Sequence, residues 1–359
     1  MAAHGNDTTM PDDRPTTQRR KAEHLRITLD EDVASGLTNG FEQYRFVHQA
    51  LPECDLDAID TRQTFLGKTL LLPLLISSMT GGTAEATAIN HRLAEAAQAA
   101  GVALGVGSQR SAVEQPALAA TFHVRDVAPD ILLFANIGAV QLNRGYGVDQ
   151  CRCAVEMIGA DALILHLNAL QEALQPEGDH QWNGLLARIE AICRAVSVPV
   201  VIKEVGWGIA PNVARQLADA GVAAIDVAGA GGTSWSQVEM HRARNPLAAR
   251  VAAHFADWGI PTAECVASIA ASLPTLPLIA SGGLRNGVEV AKAIALGAHV
   301  CGLALPFLKA ATVSTEAVLE AIEELAITLR VAMFATGTPA LAALRGTPRL
   351  IRRDAPLPV

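Results

Sequence analysis

A (β/α)8 TIM barrel with an N-terminal extension is the fold this sequence predicts, on three observations. Eight short apolar runs rich in β-branched residues alternate with stretches of helical period over roughly 250 residues, the size of such a barrel. The runs are near-continuous apolar segments, as parallel strands covered on both faces must be. Polar residues or glycines follow nearly every run, whereas an open doubly wound sheet gathers them at one switch point.

Residues 1–18 are polar and without apolar period, which predicts a disordered N-terminal tail. Residues 19–69 form an N-terminal segment ahead of the barrel proper, 70–345, and residues 346–359 read as a C-terminal tail. The strand-like runs are Leu70–Met79, Ala103–Ser108, Leu132–Ile137, Ala162–Leu167, Val198–Val205, Ala223–Gly229, Leu276–Gly282 and His299–Leu305. Between them the 3.6-residue period predicts helices over Ala84–Ala100, Trp182–Val196, Pro211–Ala220 and Asn286–Leu296, with Thr312–Phe334 closing the series. Asn286 and Pro211 are start signals, a cap and an N1 proline, and Gly101, Gly221 and Gly297 are stop signals.

Composition narrows the function. With 50% hydrophobic and 18% charged residues the chain can bury a large core, and no apolar run approaches the roughly 18–20 residues of a membrane span. A net charge of -8 argues against nucleic acid as a bulk partner. The six cysteines are scattered and no signal peptide or Arg-rich presequence is visible, so a reducing cytoplasm is expected. Cys151-Arg-Cys153, the single close pair, lies in an expected helix without a second pair to complete a zinc site and reads as structural.

In a TIM barrel the chemistry lies at the C-terminal strand ends. Here these carry Met79-Thr-Gly-Gly82, Ser108-Gln109-Arg110, Asn136, His166 with Asn168, Lys203-Glu204, Gly229 to Thr233, Ser281-Gly282-Gly283 and Ala304-Leu305. Glycines and hydroxyls abound and carboxylates are few, a poor set for hydrolysis by paired acids and a good one for a planar phosphorylated ligand. Two glycine clusters follow the sixth and seventh strands, where barrels bind phosphate through backbone N–H groups; tight turns are the plainer explanation of either alone. Lys203 interrupts an apolar strand, and a buried lysine is costly unless it has a task. It is open to three readings: a Schiff-base nucleophile, a cation against the pyrimidine end of a flavin, or an ion pair with Glu204 at the rim. His166, Asn168, Gln171 and Glu172 on one loop suit an anionic substrate and its divalent metal. Arg20 and Lys21 begin the ordered chain with a basic cluster, while Arg242, Arg244 and Arg250 read as solvated surface.

Together these residues resemble one family, the type 2 isopentenyl-diphosphate isomerases. The carrying motifs, in order, are Arg20-Lys-Ala-Glu-His24, Met79-Thr-Gly-Gly82, Gly107-Ser-Gln-Arg110, His166-Leu-Asn-Ala-Leu-Gln-Glu172 and Gln175-Pro-Glu-Gly-Asp179. Val201-Ile-Lys-Glu204, Ala228-Gly-Ala-Gly-Gly-Thr-Ser-Trp235 and Ser281-Gly-Gly-Leu-Arg285 complete the set, which spans the chain from Arg20 to the final helix. The resemblance implies FMN surrounded by Met79, Thr80, Gly81, Ser108, Asn136, Lys203, Thr233, Gly282, Gly283, Ala304 and Leu305. It implies substrate held by Arg20, Lys21, Ser108, Gln109, Arg110, His166, Asn168 and Gln171, with Glu172 on Mg²⁺ and with Lys203, Gln171 and His166 nearest the chemistry. The N-terminal segment would then contribute to the substrate site. The implied reaction interconverts isopentenyl and dimethylallyl diphosphate through reduced FMN as acid–base group, with NADPH or NADH as reductant, in a tetramer or octamer. His180-Gln-Trp182 departs from the residues relatives often carry there. The alternatives are an FMN-dependent 2-hydroxy-acid oxidase, a Schiff-base aldolase and a non-catalytic barrel that binds a phosphorylated ligand. The oxidase needs a His beside a Gly after the later strands, and Gly231-Gly-Thr-Ser-Trp235 offers none.

Overall fold

Eight parallel strands close on themselves in the computed structural model, which describes residues 16–357. The barrel strands are Leu74–Ile76, Ala103–Gly105, Leu133–Gly138, Ala162–His166, Val200–Lys203, Ala224–Asp226, Leu278–Ser281 and Val300–Leu303. All eight lie within or overlap the expected runs, and Cys301 of the last pairs with Leu74 of the first to seal the ring. Residues 1–15 of the expected tail lie outside the described residues, and Thr16–Gln18 already belong to a helix, Thr16–Asp30.

The alternation of each strand sorts its side chains between two cores. One set fills the barrel interior: Leu75, Ala103, Phe134, Ile164, Val201, Ile279 and Val300 are buried together. Phe65 and Leu70, from the antiparallel pair Gln63–Phe65 and Lys68–Leu70, join them and close one end of the barrel. The other set faces the helices, where Leu74, Leu104, Leu133, Leu165 and Ile202 join a continuous outer core. Full burial of one such Leu or Phe stabilises the fold by about 1.5–3 kcal/mol before entropy is subtracted.

Local signals set the helix ends. Thr83 caps Ala84–Ala100 by accepting from Ala86 N–H, Gly101 ends it in the left-handed region, and Asn286 accepts from Glu289 N–H to start Gly287–Ala295. The long helix expected from Thr312 is two helices, Leu305–Val313 and Thr315–Ala335. Ser314 breaks the run with extended backbone and caps the second helix through Ala317 N–H. The stretch 346–359 is not a loose tail over its described part: Leu350–Arg352 pairs antiparallel with Tyr44–Phe46, tying the two ends of the chain together. No helix among the described residues is long and apolar enough to cross a membrane.

Candidate active site

One cavity of about 610 Å³ opens at the C-terminal end of the barrel, a volume within the usual range for small-molecule sites. Its floor and walls are strand ends, and the N-terminal helix Thr16–Asp30 lies over its mouth. Every residue that the family resemblance implies for cofactor, substrate or metal lines it except Gln109. Gln109 is fully buried and turned away: its amide donates to Ala154 O and accepts from Asn136 N–H, which fastens the second strand's loop to the third strand. Its place in the Gly107–Arg110 motif is structural.

Strand register places the charged floor. His166 stands opposite Lys203 and Lys203 opposite Asp226, a row across the ends of the fourth, fifth and sixth strands. Lys203 Nζ lies 3.5 Å from Asp226 Oδ2 and donates to the Glu204 carbonyl at 2.9 Å. The Glu204 carboxylate, the partner in one of the three readings of Lys203, instead accepts from the N–H groups of Val205, Gly206, Trp207 and Gly208 and shapes the following turn. Burial pushes that carboxyl up to about 7 against the pull of these donors. Asp226 is fully buried and is also gripped by Ser281 Oγ at 2.5 Å. His166 Nδ1 bonds Asn136 Oδ1 at 2.8 Å, and Asn136 Nδ2 in turn donates to Val106 O, which orients the amide and leaves Nε2 as the second ring nitrogen. Burial, then the charges of Lys203, Lys21 and Arg20, push the imidazole down to about 4.

At the rim, Glu172 is buried and held from three sides. Its Oε1 accepts from Asn168 Nδ2 at 2.8 Å, and its Oε2 from Gln175 Nε2 at 2.5 Å and Asp179 N–H at 2.7 Å. The departing residues His180 and Trp182 fix the same loop: His180 Nε2 meets Glu172 O, and Trp182 Nε1 donates to Asp179 O. Across the mouth, Lys21 donates to Ser108 O at 2.8 Å and Ser111 Oγ at 3.1 Å and lies over the Phe122 ring. Burial and the neighbouring Arg20 lower its ammonium to about 7. Arg110 pairs with Glu114 and Asp179, so it braces the Glu172 loop as well as lining the cavity.

The two glycine loops interlock. A Cβ on Gly282, whose φ is 106°, would strike Gly229 backbone and Thr262 Oγ1; one on Gly232 would lie 2.6 Å from Gly283 N. Backbone contact between the loops therefore requires glycine there, and it leaves Gly232, Thr233, Gly282 and Gly283 along the cavity wall. Ser77 Oγ and Ser78 Oγ are buried without a hydrogen-bond partner at the end of the first strand, both on the cavity. Ala304 starts the helix Leu305–Val313 with no side-chain cap. Orphaned hydroxyls, an uncapped helix start, a floor cation and apolar walls from Leu303, Leu305 and Val140 fit a flat phosphorylated cofactor such as FMN. Among the described residues no three His, Cys, Asp or Glu side chains converge on a metal, so a cation would need Glu172 together with ligand and water oxygens.

Ser77, Ser78 and Asp226 escaped the sequence reading, as did Arg242. Asp226 interrupts an apolar strand as Lys203 does, and that signal was available. Arg242 was read as surface, yet its side chain is only 9% exposed and ion-paired to Glu23, Glu177 and Glu239. Arg244 and Arg250 are exposed.

A family model described as FMN-dependent dehydrogenase matches residues 26–124 and 161–353. A protein of Nostoc sp. named isopentenyl-diphosphate delta-isomerase is 55% identical over 341 residues, covering 95% of this chain and 97% of that protein. A protein of the same name from Xanthobacter autotrophicus is 57% identical over 332 residues, covering 92% and 96%. The chain belongs to the FMN-dependent, type 2 isopentenyl-diphosphate delta-isomerases. It is an isomerase of a flavoprotein family, on a barrel shared beyond that family. A solved mandelate oxidase structure superposes with a TM-score of 0.66 at 21% identity, covering 92% of this chain and 94% of that one, a likeness of fold alone.

Proposed function

We propose that the enzyme interconverts isopentenyl diphosphate and dimethylallyl diphosphate, with FMN on the barrel floor, Mg²⁺ on the diphosphate and NADPH or NADH as reductant. The observation that carries this reading is one cavity with two chemically distinct ends. Arg20, Lys21 and Glu172 stand at its mouth, suited to a diphosphate and its cation, while Lys203 stands on its floor among the strand ends. Bound and reduced, FMN supplies an acid–base group beside the substrate carbons. Lys203, held by Asp226, would sit as a fixed cation against the electron-rich part of the flavin. His166 and Gln171 would orient the substrate, and the apolar walls would keep water from a cation-like transition state. The fold is shared with mandelate oxidase, but the 231–235 loop offers no His for hydroxy-acid oxidation, which favours the isomerase. Under anaerobic conditions with FMN and Mg²⁺, dimethylallyl diphosphate is expected only when NADPH or NADH is added, without stoichiometric loss of reductant. Absence of product from protein whose flavin reduces normally would overturn the reading.

Substrate binding should also take up protons. In the free protein Lys21 is held down to about 7 and His166 to about 4, and a diphosphate beside them favours their charged forms and raises both. The affinity for the diphosphate is therefore expected to fall as pH rises above about 7, where Lys21 loses its proton in the free protein. Calorimetry at pH 8 in buffers of different ionisation enthalpy should report net proton uptake that largely disappears in Lys21→Met. Equal uptake in wild type and variant would refute the assignment.

A further inference from the structure

Arg242 lies outside the cavity, at the end of the helix Trp235–Arg242, and reaches three carboxylates from three parts of the chain. Its Nη1 and Nη2 form a two-pronged pair with Glu177 at 3.0 and 2.8 Å, in the loop that follows Ala169–Leu174. Its Nε donates to Glu23 Oε2 at 2.9 Å, on the N-terminal helix, and Nη1 also reaches Glu239 Oε2 at 3.2 Å on its own helix. Glu239 is almost wholly buried and bonds His24 Nε2 at 2.9 Å, a second tie to the N-terminal helix. Arg19, one turn before Glu23, lies 4.0 Å from its other oxygen, so Arg242 is the group that all three carboxylates share. Such networks contribute little net stability after desolvation, but they fix the geometry of what they join.

What they join here are the two halves of the mouth. Glu23 follows Arg20 and Lys21 within one turn of the same helix, and Glu177 lies between Gln175 and Asp179, the two residues that grip Glu172 Oε2. The N-terminal helix also rests on the barrel through Leu25 in the main core, through Lys21 on the Ser108–Ser111 turn, and through an apolar patch in which Ile27 and Val33 meet Val238. We propose that Arg242 is a positioning residue that holds the cationic helix and the Glu172 loop at a fixed spacing, so that the cations and the metal ligand meet one diphosphate together. This rests on the reading of the mouth as the diphosphate site. A lysine cannot replace it, because one ammonium cannot make the fork to Glu177 and still reach Glu23.

The test separates the two struts. Glu23→Gln is expected to raise KM for isopentenyl diphosphate and to leave the Mg²⁺ requirement near wild type, while Glu177→Gln does the reverse. Arg242→Gln and Arg242→Lys should raise both by about tenfold, the effect of losing charged hydrogen bonds. In these variants kcat at saturation should stay within about threefold, and the rate of flavin reduction should not move, because only the spacing of the mouth has changed. Amide exchange of the N-terminal helix, measured without substrate, should quicken in Glu23→Gln and Arg242→Gln. Unchanged KM, Mg²⁺ requirement and exchange in the variants would overturn the proposal, as would a loss confined to kcat. If Arg242→Gln does not fold, the two carboxylate variants carry the test through residues that are partly exposed. Failure of the wild type to turn over isopentenyl diphosphate would overturn the functional reading instead, and the exchange measurement would still decide whether Arg242 anchors the helix.

Discussion

Lys203→Ala is expected to lower turnover by about 10²–10³-fold, the usual cost of removing one preorganised charge from an active site. It should also slow reduction of bound FMN by NADPH, since in the proposed arrangement the cation would stand against the part of the flavin where negative charge builds on reduction. The structure imposes a control. Lys203 is the counter-charge of Asp226, whose carboxylate is fully buried and whose Oδ2 has no hydrogen-bond partner. Removing the lysine alone strands that charge, a change that costs about 3–5 kcal/mol where nothing else compensates. Lost activity could then reflect a weakened sheet. Combining Lys203→Met with Asp226→Asn removes both charges and keeps Ser281 Oγ a partner, so stability should recover while turnover and flavin reduction do not. Turnover in the double variant near that of wild type, read by anaerobic product formation, would show that Lys203 holds the barrel together and has no part in the chemistry.

Lys203 and Asp226 also show what was legible in the sequence. The barrel was legible because parallel strands covered on both faces must be apolar throughout, and eight such runs cannot be hidden. Lys203 stood out because it broke one of these runs. Asp226 broke the next run in the same way, but its partner is set by strand register, and a single sequence does not give the register across a pair of strands. The same limit hid Arg242, whose partners Glu23 and Glu177 lie 219 and 65 residues away. Gln109 failed for the opposite reason: it sits inside a motif whose neighbours line the cavity, yet the turn points its amide into the wall. Ser314 shows the weakness of period alone. The apolar spacing runs through it, and its hydroxyl ends one helix by capping the next.

Glu172→Gln should raise the Mg²⁺ concentration needed for half-maximal turnover by about tenfold or more, through loss of the carboxylate proposed to hold the metal. The site is built so that this substitution removes charge with little damage to structure. The two donors on Oε2, Gln175 Nε2 and Asp179 N–H, can keep the carbonyl oxygen of the introduced amide. Its NH2 then faces Asn168 Nδ2, a clash of donors. Asn168 Oδ1 is buried and has no partner, so a half-turn of that amide presents an acceptor where one is needed. Gln171, whose Oε1 meets the same Asn168 Nδ2, can turn with it. Thermal stability should therefore change by less than about 1 kcal/mol, the scale of one exchanged hydrogen bond, while the metal requirement rises. High Mg²⁺ should restore much of the rate, because the diphosphate itself still supplies oxygen ligands. An unchanged Mg²⁺ dependence would exclude Glu172 as a ligand and leave it as the brace of the 175–179 loop, through its bonds from Gln175 Nε2 and Asp179 N–H.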